Sequence, residues 1–180
     1  QGKVTPALAK FRKAAALDNN LMVAWMNIGA ITLSFRDYKS AEEAFRKVLS
    51  LAPDKAVQYE ATVGLGVALR GQRKFKQAMA QYKAAKAIDP SNVDIAYNMG
   101  ILVQDYMFDA SDPASAIADL QRASNLLNRY LSGGDNPTKK KDCRRRLKNI
   151  NDLIPMLKEQ QKMMREMQQQ GAGGGAKKSG

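Results

Sequence analysis

The sequence contains no histidine and a single cysteine, Cys143. Histidine is the commonest general base in enzymes and the commonest metal ligand, so its absence removes the residue type on which many catalytic and metal sites depend. One cysteine cannot form an internal disulfide and offers no cluster that could hold zinc. Gly64, Gly66 and Gly71 do not have the spacing of a phosphate-binding loop. The sequence therefore predicts neither an enzyme nor a protein that binds a metal or another cofactor.

Long apolar runs are also missing from the sequence. No stretch approaches the roughly 18 residues that a membrane-spanning helix requires, so we predict no transmembrane segment in this chain. The chain opens on Gln1, without a starting methionine or a signal-like apolar segment. We therefore expect it to begin inside a longer gene product, with any targeting segment outside the sequence.

Positive charge is in excess, but it is unevenly distributed. The net charge is +12, of which residues 1–136 carry +4 and residues 137–180 carry +8. The first part is nearly balanced in charge, and the excess lies in the C-terminal part. This asymmetry predicts that any electrostatic contact with an anionic partner uses the C-terminal part of the chain.

A pattern of small, aromatic and proline residues repeats along the first part of the chain. It starts at Gly29 and again at Gly66, 37 residues later, and the same residue characters follow at offsets of 12, 16, 19 and 24. A third copy starts at Gly100 with four extra residues, placed between Phe108 and Pro113. Such self-similarity is typical of repeat architectures. The matching positions are Ala41, Phe45, Val48 and Pro53 in the first copy, Ala78, Tyr82, Ala85 and Pro90 in the second, and Ala116, Leu120 and Ala123 in the third.

Together with Trp25 and Ile28, this pattern resembles the tetratricopeptide repeat family over roughly residues 4–131. Small residues allow two helices to cross closely, and proline ends the second helix of each pair. The sequence departs from the family pattern at Thr32, at Thr62 and at the missing proline of the third copy. The resemblance implies an all-α fold: a right-handed α-solenoid of helix-turn-helix repeats with a C-terminal capping helix.

We divide the chain on this basis into six segments. The final helical segment carries an apolar stripe at helical spacing, which suits a helix that covers the end of the array. The stripe consists of Cys143, Leu147, Ile150, Ile154 and Leu157. The segments are 1–20, the second helix of a truncated leading repeat; 21–56 and 57–91, full repeats; 92–132, a repeat with a short insertion; 137–170, a basic helical cap kinked at Pro155; and 171–180, a disordered tail.

The resemblance also implies a binding groove, because the first helix of each repeat lines the inner surface in this family. The groove would suit an aliphatic segment or an amphipathic helix of a partner protein, with Asn27 and Asn98 holding its backbone. The predicted groove residues are Val23, Met26, Asn27, Ala30, Leu33 and Ser34; Glu60, Val63, Val67, Arg70 and Gly71; and Asp94, Tyr97, Asn98, Ile101, Gln104 and Asp105.

Two alternatives bear on this groove. Met26, Val63 and Tyr97 could instead be ordinary packing residues between neighbouring helices. A carboxylate clamp, the best-known variant in the family, requires lysines at the positions of Met26, Val63 and Glu60, and their absence argues against it.

A dense basic run lies at the start of the last helix. It could be the solvated face of a capping helix, the site of an acidic protein partner, or a contact with nucleic acid or an anionic lipid surface. No aromatic residue interleaves the run, which argues against base stacking and so against nucleic acid. The basic residues are Lys139, Lys140, Lys141, Arg144, Arg145, Arg146 and Lys148.

These observations predict a non-enzymatic scaffold or adaptor that binds protein partners in its groove and helps assemble a multiprotein complex. The alternative is a protein that binds an anionic surface or nucleic acid through the basic run.

Four methionines (Met156, Met163, Met164 and Met167) leave two hypotheses open, an adaptable contact surface or a loosely packed end helix. The sequence as a whole resembles bacterial repeat proteins of envelope machines such as pilus, secretion and gliding-motility systems. That resemblance favours a periplasmic or cell-envelope location over the cytoplasm.

Overall fold

The computed structural model of the chain describes residues 6–52 and 54–174. Within these ranges the chain forms helices and no strand, so the predicted all-α fold is confirmed. A π-helical segment, Val103–Met107, continues α6. The α-helices are α1 Pro6–Leu17, α2 Met22–Ser34, α3 Tyr38–Leu51, α4 Lys55–Gly71, α5 Phe75–Ile88, α6 Asp94–Leu102, α7 Pro113–Gly133 and α8 Pro137–Gly174. They belong to two compact units, Gln1–Asn98 and Met99–Gly180.

In the first unit, consecutive helices pack side by side. Helix α1 contacts α2, α2 contacts α3, α3 contacts α4, and α4 contacts α5. Helices α2 and α4 also contact each other, so the first helices of two successive pairs are neighbours. The small, aromatic and aliphatic positions that repeat in α3 and α5 form the centre of this packing, since these side chains are at most 3% exposed. These buried residues are Ala41, Phe45 and Val48 of α3 and Ala78, Tyr82 and Ala85 of α5.

Glycine is required where the aromatic rings cross the neighbouring helices. A Cβ atom on Gly29 would lie 2.8 Å from Phe45 Cε1, and one on Gly64 would lie 2.5 Å from Phe45 Cζ. The ring of Phe45 therefore occupies the space left by one glycine of α2 and one of α4. Tyr82 packs against Gly66 in the same manner. An alanine at any of these three positions would force the ring or the helix to move.

Acidic side chains cap the beginnings of three helices. Asp37 accepts a hydrogen bond from the Ser40 backbone amide at the start of α3, and Asp54 does the same for Val57 at the start of α4. Asp112 caps α7, which has Pro113 in its first turn. Helix α3 therefore begins at Tyr38, directly after its capping residue Asp37.

Helices α2 and α4 end in the same backbone motif. The amide of Arg36 bonds to Leu33 O and that of Asp37 to Thr32 O. In the next pair, the amides of Arg73 and Lys74 bond to Arg70 O and Leu69 O. This is the Schellman arrangement, in which the residue after the helix adopts a left-handed conformation. Arg36 and Arg73 occupy that position, with φ angles of 60° and 63°.

In the second unit, α8 packs along α7. Helix α7 buries Ala116, Leu120, Ala123, Leu127 and Tyr130. Three members of the predicted apolar stripe of α8, namely Cys143, Ile150 and Leu157, are at most 3% exposed, and Leu147 and Ile154 are half-buried. The stripe thus gives α8 one buried face, as the spacing of its apolar residues indicated.

Helix α8 includes Pro155, so it continues on both sides of the proline, and the kink predicted there stays a prediction. The helix reaches Gly174, beyond the predicted end at residue 170. The helix-ending Pro53 and the last part of the predicted disordered tail, residues 175–180, lie outside the described residues.

Candidate binding groove

The predicted groove residues of α2 form a partly exposed apolar strip. Val23 is 58% exposed, Ala30 is exposed, and Met26 and Leu33 are half-buried. Their spacing of three and four residues places them on one face of the helix. Part of this apolar strip stays exposed to water. A partner protein that binds there can bury the exposed apolar area.

Asn27, predicted to hold a peptide backbone, is engaged within its own helix. Its Nδ2 atom donates a hydrogen bond to Val23 O at 2.8 Å. A side-chain amide has two donor hydrogens and an acceptor oxygen, so this bond uses one of its donors and leaves the oxygen to accept. The side chain of Asn27 can therefore still accept a hydrogen bond from a bound peptide through its oxygen and donate one through its second amide hydrogen.

The corresponding strip of α4 has charged residues at its two ends. Val63 and Val67 are half-buried, Glu60 is exposed near the beginning of the helix, and Arg70 is half-buried in its last turn. The Nη1 atom of Arg70 is buried and makes no hydrogen bond within residues 6–52 and 54–174. Glu60 and Arg70 are ten residues apart, about 15 Å along a helix axis. The strip therefore carries negative charge at one end and positive charge at the other.

The acidic end of this strip borders a cavity of about 580 Å³ within the first unit. The cavity is lined by Tyr59, Glu60, Asp89 and Asp94, with Lys55 the one cation among its lining residues. Burial, together with the charges of Asp94 and Asp89, raises the pKa of Tyr59 to about 12. Two predicted groove residues, Glu60 and Asp94, are thus brought together in an electronegative pocket that suits a cationic group.

The groove residues predicted for the third repeat have varied surroundings. Asp94, Tyr97 and Asn98 are half-buried and belong to the first unit. Ile101, in the second unit, is only 9% exposed. Gln104 is hydrogen-bonded to α8, because its Oε1 accepts from Arg146 Nη1 at 3.0 Å. Ile101 and Gln104 are therefore engaged inside the second unit, whereas the α2 and α4 strips remain open.

The basic run of α8 divides into engaged and exposed residues. Lys139 lies 5.7 Å from the centroid of the Tyr130 ring, and Arg145 pairs with Asp142 at 2.5 Å. Lys140 is half-buried, while Lys141, Arg144 and Lys148 are exposed. The last three share one face of the helix. Only part of the predicted basic patch is therefore open to an anionic partner.

Arg146 is the most deeply engaged residue of that run. Its Nη1 atom contacts Asp105 Oδ1 at 2.7 Å, its Nε contacts Asp142 Oδ2 at 2.6 Å, and its side chain is 14% exposed. Burial works against its charge, but the hydrogen bonds and charges of Asp105 and Asp142 outweigh burial and raise the pKa of Arg146. No sequence signal indicated this pairing, since nothing in the charge pattern links residue 105 to residue 146.

The methionines of α8 lie apart from its buried face. Met156, Met163, Met164 and Met167 are 68%, 50%, 40% and 72% exposed. The last buried member of the apolar stripe is Leu157, so the half of α8 beyond it has no buried residue through position 170. Of the two hypotheses left open by the sequence, this exposure favours a contact surface over packing against the chain's own helices.

Two further properties concern the described part of the chain as a whole. No group of three or more Cys, Asp or Glu side chains there has the arrangement of a metal site. None of the helices in residues 6–52 and 54–174 combines the length and apolar character needed to cross a bilayer.

Successive helix pairs in which each helix packs against the next are typical of α-solenoid proteins. The sequence model of the tetratricopeptide repeat family matches residues 23–55. These residues form a tetratricopeptide repeat, so the predicted resemblance to this family and the predicted all-α fold are confirmed.

Two solved structures are similar to this chain. The crystal structure of MamA has a TM-score of 0.54 and 17% identity, over 87% of this chain and 89% of that one. The crystal structure of YrrB, described as a TPR protein with an unusual peptide-binding site, has a TM-score of 0.48 and 17% identity, over 86% of this chain and 81% of that one. No curated protein matches the sequence.

Proposed function

We propose that this protein is a scaffold that binds a segment of a partner protein along the inner strips of α2 and α4. The observation that carries the proposal is the pair of neighbouring apolar strips, which the fold leaves partly exposed. Repeat proteins of this class use such surfaces for binding. A partner that covers Val23, Met26 and Leu33 gains the free energy of burying apolar area, at about 25 cal/mol per Å².

The charges at the ends of the α4 strip give the bound segment a direction. A cationic side chain of the partner fits the pocket bordered by Glu60 and Asp94, and an anionic side chain fits beside the half-buried Arg70. About 15 Å separates the two ends, which corresponds to roughly ten residues of helix or five of extended chain. We therefore expect an apolar segment with a basic residue at one end and an acidic residue at the other.

The experiment is a selection of peptides from a random library with the full chain, followed by measurement of their affinity. Val23→Glu combined with Ala30→Glu places two charges on the open strip, where neither residue is needed for packing. The selected peptides should lose at least about tenfold in affinity, because two carboxylates must be buried without partners. Peptides should share the basic-apolar-acidic order described above.

A matched control makes the same two changes on another helix. Ala84→Glu combined with Ala87→Glu alters two exposed alanines of α5 and should leave affinity unchanged. If both double variants bind the selected peptides as the unaltered chain does, the α2 strip is not the site.

The remaining candidate is an anionic surface or nucleic acid on the exposed cations of α8, Lys141, Arg144 and Lys148. Ionic strength distinguishes the two functions. Phosphate contacts weaken steeply as salt rises, whereas contacts of an apolar strip do not.

A further inference from the structure

The two turns that join the helices of each pair in the first unit carry a concentration of positive charge. Segments 35–40 and 70–76, which we call the turn edge, contain six basic residues and one acidic residue. The connections at the other ends of the same helices, 18–21, 52–55 and 89–94, contain four acidic residues and one basic residue. The connections of the first unit are thus mainly basic at one edge and mainly acidic at the other.

The two turns of the turn edge are in direct contact. The ring of Tyr38 packs against Gly71, where a Cβ atom would collide with it. Gln72 Nε2 donates to Tyr38 O at 3.1 Å and to Glu42 Oε2 at 2.7 Å. Lys74 Nζ lies 3.0 Å from the same Glu42 oxygen. These contacts join the two turns into one surface.

Four cations of this surface have no partner among the described side chains. Arg36 and Lys39 belong to the first turn, and Arg73 and Lys76 stand 37 positions later in the second. All four are exposed. Because Lys74 and Arg46 already neutralise Glu42, these four charges are available to an external group.

Arg36 and Arg73 hold a backbone conformation that glycine adopts more easily. Both have φ near +60° at the residue after a helix, the position that most often carries glycine. A side chain there costs stability, and residues kept in such conformations cluster at functional sites. A residue other than glycine occupies this left-handed position in both turns, and in each case it is an arginine with an exposed guanidinium. Charge at these positions is therefore present at the expense of local stability.

We propose that the turn edge is a docking surface for an acidic segment of a partner polypeptide. Guanidinium groups bind carboxylates through two parallel hydrogen bonds. Phe35, 52% exposed beside Arg36, offers an apolar contact between the charges. The carboxylates of Asp37 and Glu43 lie in or next to the edge and would repel the unbroken phosphate run of a nucleic acid. A polypeptide can place its acidic residues opposite the cations and other residues opposite these carboxylates.

This surface shares Arg70 with the strip of α4, and the test keeps the two proposals apart by changing other residues of each. The probe is a fluorescent twelve-residue peptide in which Asp and Glu pairs alternate with single leucines. Its binding to the full chain is followed by fluorescence anisotropy. Arg36→Gly combined with Arg73→Gly should weaken binding at least about fivefold, because two contacting charges are removed. The same variant should melt several degrees higher, on the order of 4 °C, because the left-handed positions are relieved.

Two controls separate the turn edge from the other basic parts of the chain. Lys13→Ala with Lys83→Ala removes two exposed charges elsewhere in the first unit, and Lys141→Ala with Arg144→Ala and Lys148→Ala removes three from α8. Neither should change the affinity more than about twofold if the turn edge is the site. Val23→Glu with Ala30→Glu should also bind the acidic peptide with unchanged affinity. The proposal for the turn edge can therefore hold even if the proposal for the inner strips is wrong.

A second variant removes two charges without introducing glycine, so it excludes an effect of the changed turn backbone on binding. Lys39→Ala with Lys76→Ala leaves both turns unaltered and should weaken binding to a similar extent. The proposal is overturned if either turn-edge variant binds the peptide as the unaltered chain does. It is equally overturned if a single-stranded oligonucleotide of equal charge, or a vesicle with 30% phosphatidylserine, binds more tightly than the peptide and depends on the same residues.

Discussion

Lys74 Nζ lies 3.0 Å from Glu42 Oε2, and this ion pair ties the turn between α4 and α5 to helix α3. The other carboxylate oxygen of Glu42 accepts from Arg46 Nε at 2.9 Å and from Arg46 Nη2 at 2.8 Å. Burial by itself would raise the pKa of Glu42, but the hydrogen bonds from Arg46, Lys74 and Gln72 outweigh it and lower the pKa to about 2. One carboxylate thus joins two successive helix pairs.

The pKa of Glu42 leads to the first prediction, a dependence of stability on pH. Its value in the folded state lies below the ordinary 4.5, so the ionised form stabilises the fold. That stabilisation is complete above about pH 5 and is lost as the pH falls from there towards 2. Glu42→Gln should lower the free energy of unfolding at pH 7 by about 1–2 kcal/mol, after allowance for the exposed side chains of Arg46 and Lys74.

Urea unfolding at pH 7, 5 and 3 measures this effect. The difference between Glu42→Gln and the unaltered chain should shrink as the pH falls from 5 to 3, because the unfolded chain then takes up a proton at Glu42 that folding must release. The neighbouring Glu43→Gln, which alters an exposed carboxylate, serves as the control and should match the unaltered chain at pH 7. A constant difference at all three pH values would show that Glu42 stabilises the fold by something other than its charge.

The sequence predicted the interior of the first unit because the positions that repeat are those whose residue type is limited by packing. A position such as Phe45 must be aromatic wherever two small residues leave a wedge, so the requirement recurs at Tyr82, 37 residues later. The repeat therefore identified the buried residues and the fold class. The cell-envelope location and the groove residues stay predictions, since neither follows from packing.

Other features could not be read from the sequence, because they depend on how helices are rotated against each other. The bond between Arg146 and Asp105 joins residues that share no periodic pattern. The internal bond of Asn27 depends on the rotamer its side chain adopts on the helix. The left-handed backbone conformation of Arg36 and Arg73 could not be predicted either, because arginine has no preference for that conformation.

The ring of Phe45 provides the second prediction. A Cβ atom on Gly64 would lie 2.5 Å from Phe45 Cζ, so Gly64→Ala should cost about 2 kcal/mol of stability through overpacking. Phe45→Leu removes the part of the ring that the new methyl group meets. Urea unfolding of the two single variants and the double variant completes the cycle.

The double variant should be at least about 1 kcal/mol more stable than the sum of the two single effects predicts, because the clash no longer exists. Additive effects would mean that alanine at position 64 acts through the helix backbone, and Phe45 would then not be the reason for glycine at this site.

The third prediction concerns the attachment of α8 to its unit. Cys143 is fully buried, and burial raises the pKa of its thiol, so it is protected from alkylation while α8 stays packed on α7. Its rate of reaction with iodoacetamide therefore reports how often the helix opens. Arg146→Ala leaves Asp105 without its cation and should cost about 2 kcal/mol. That cost corresponds to a labelling rate about 30 times higher.

Arg144→Ala is the matched control, because Arg144 lies two residues away on the same helix but is exposed. Its loss should change the labelling rate by less than about twofold, since exposed charges contribute little to stability. Mass spectrometry of the alkylated chain at successive times gives both rates under identical conditions. If Arg146→Ala labels no faster than Arg144→Ala, the apolar stripe alone holds α8 in place, and the contacts of Arg146 with Asp105 and Asp142 contribute little to its attachment.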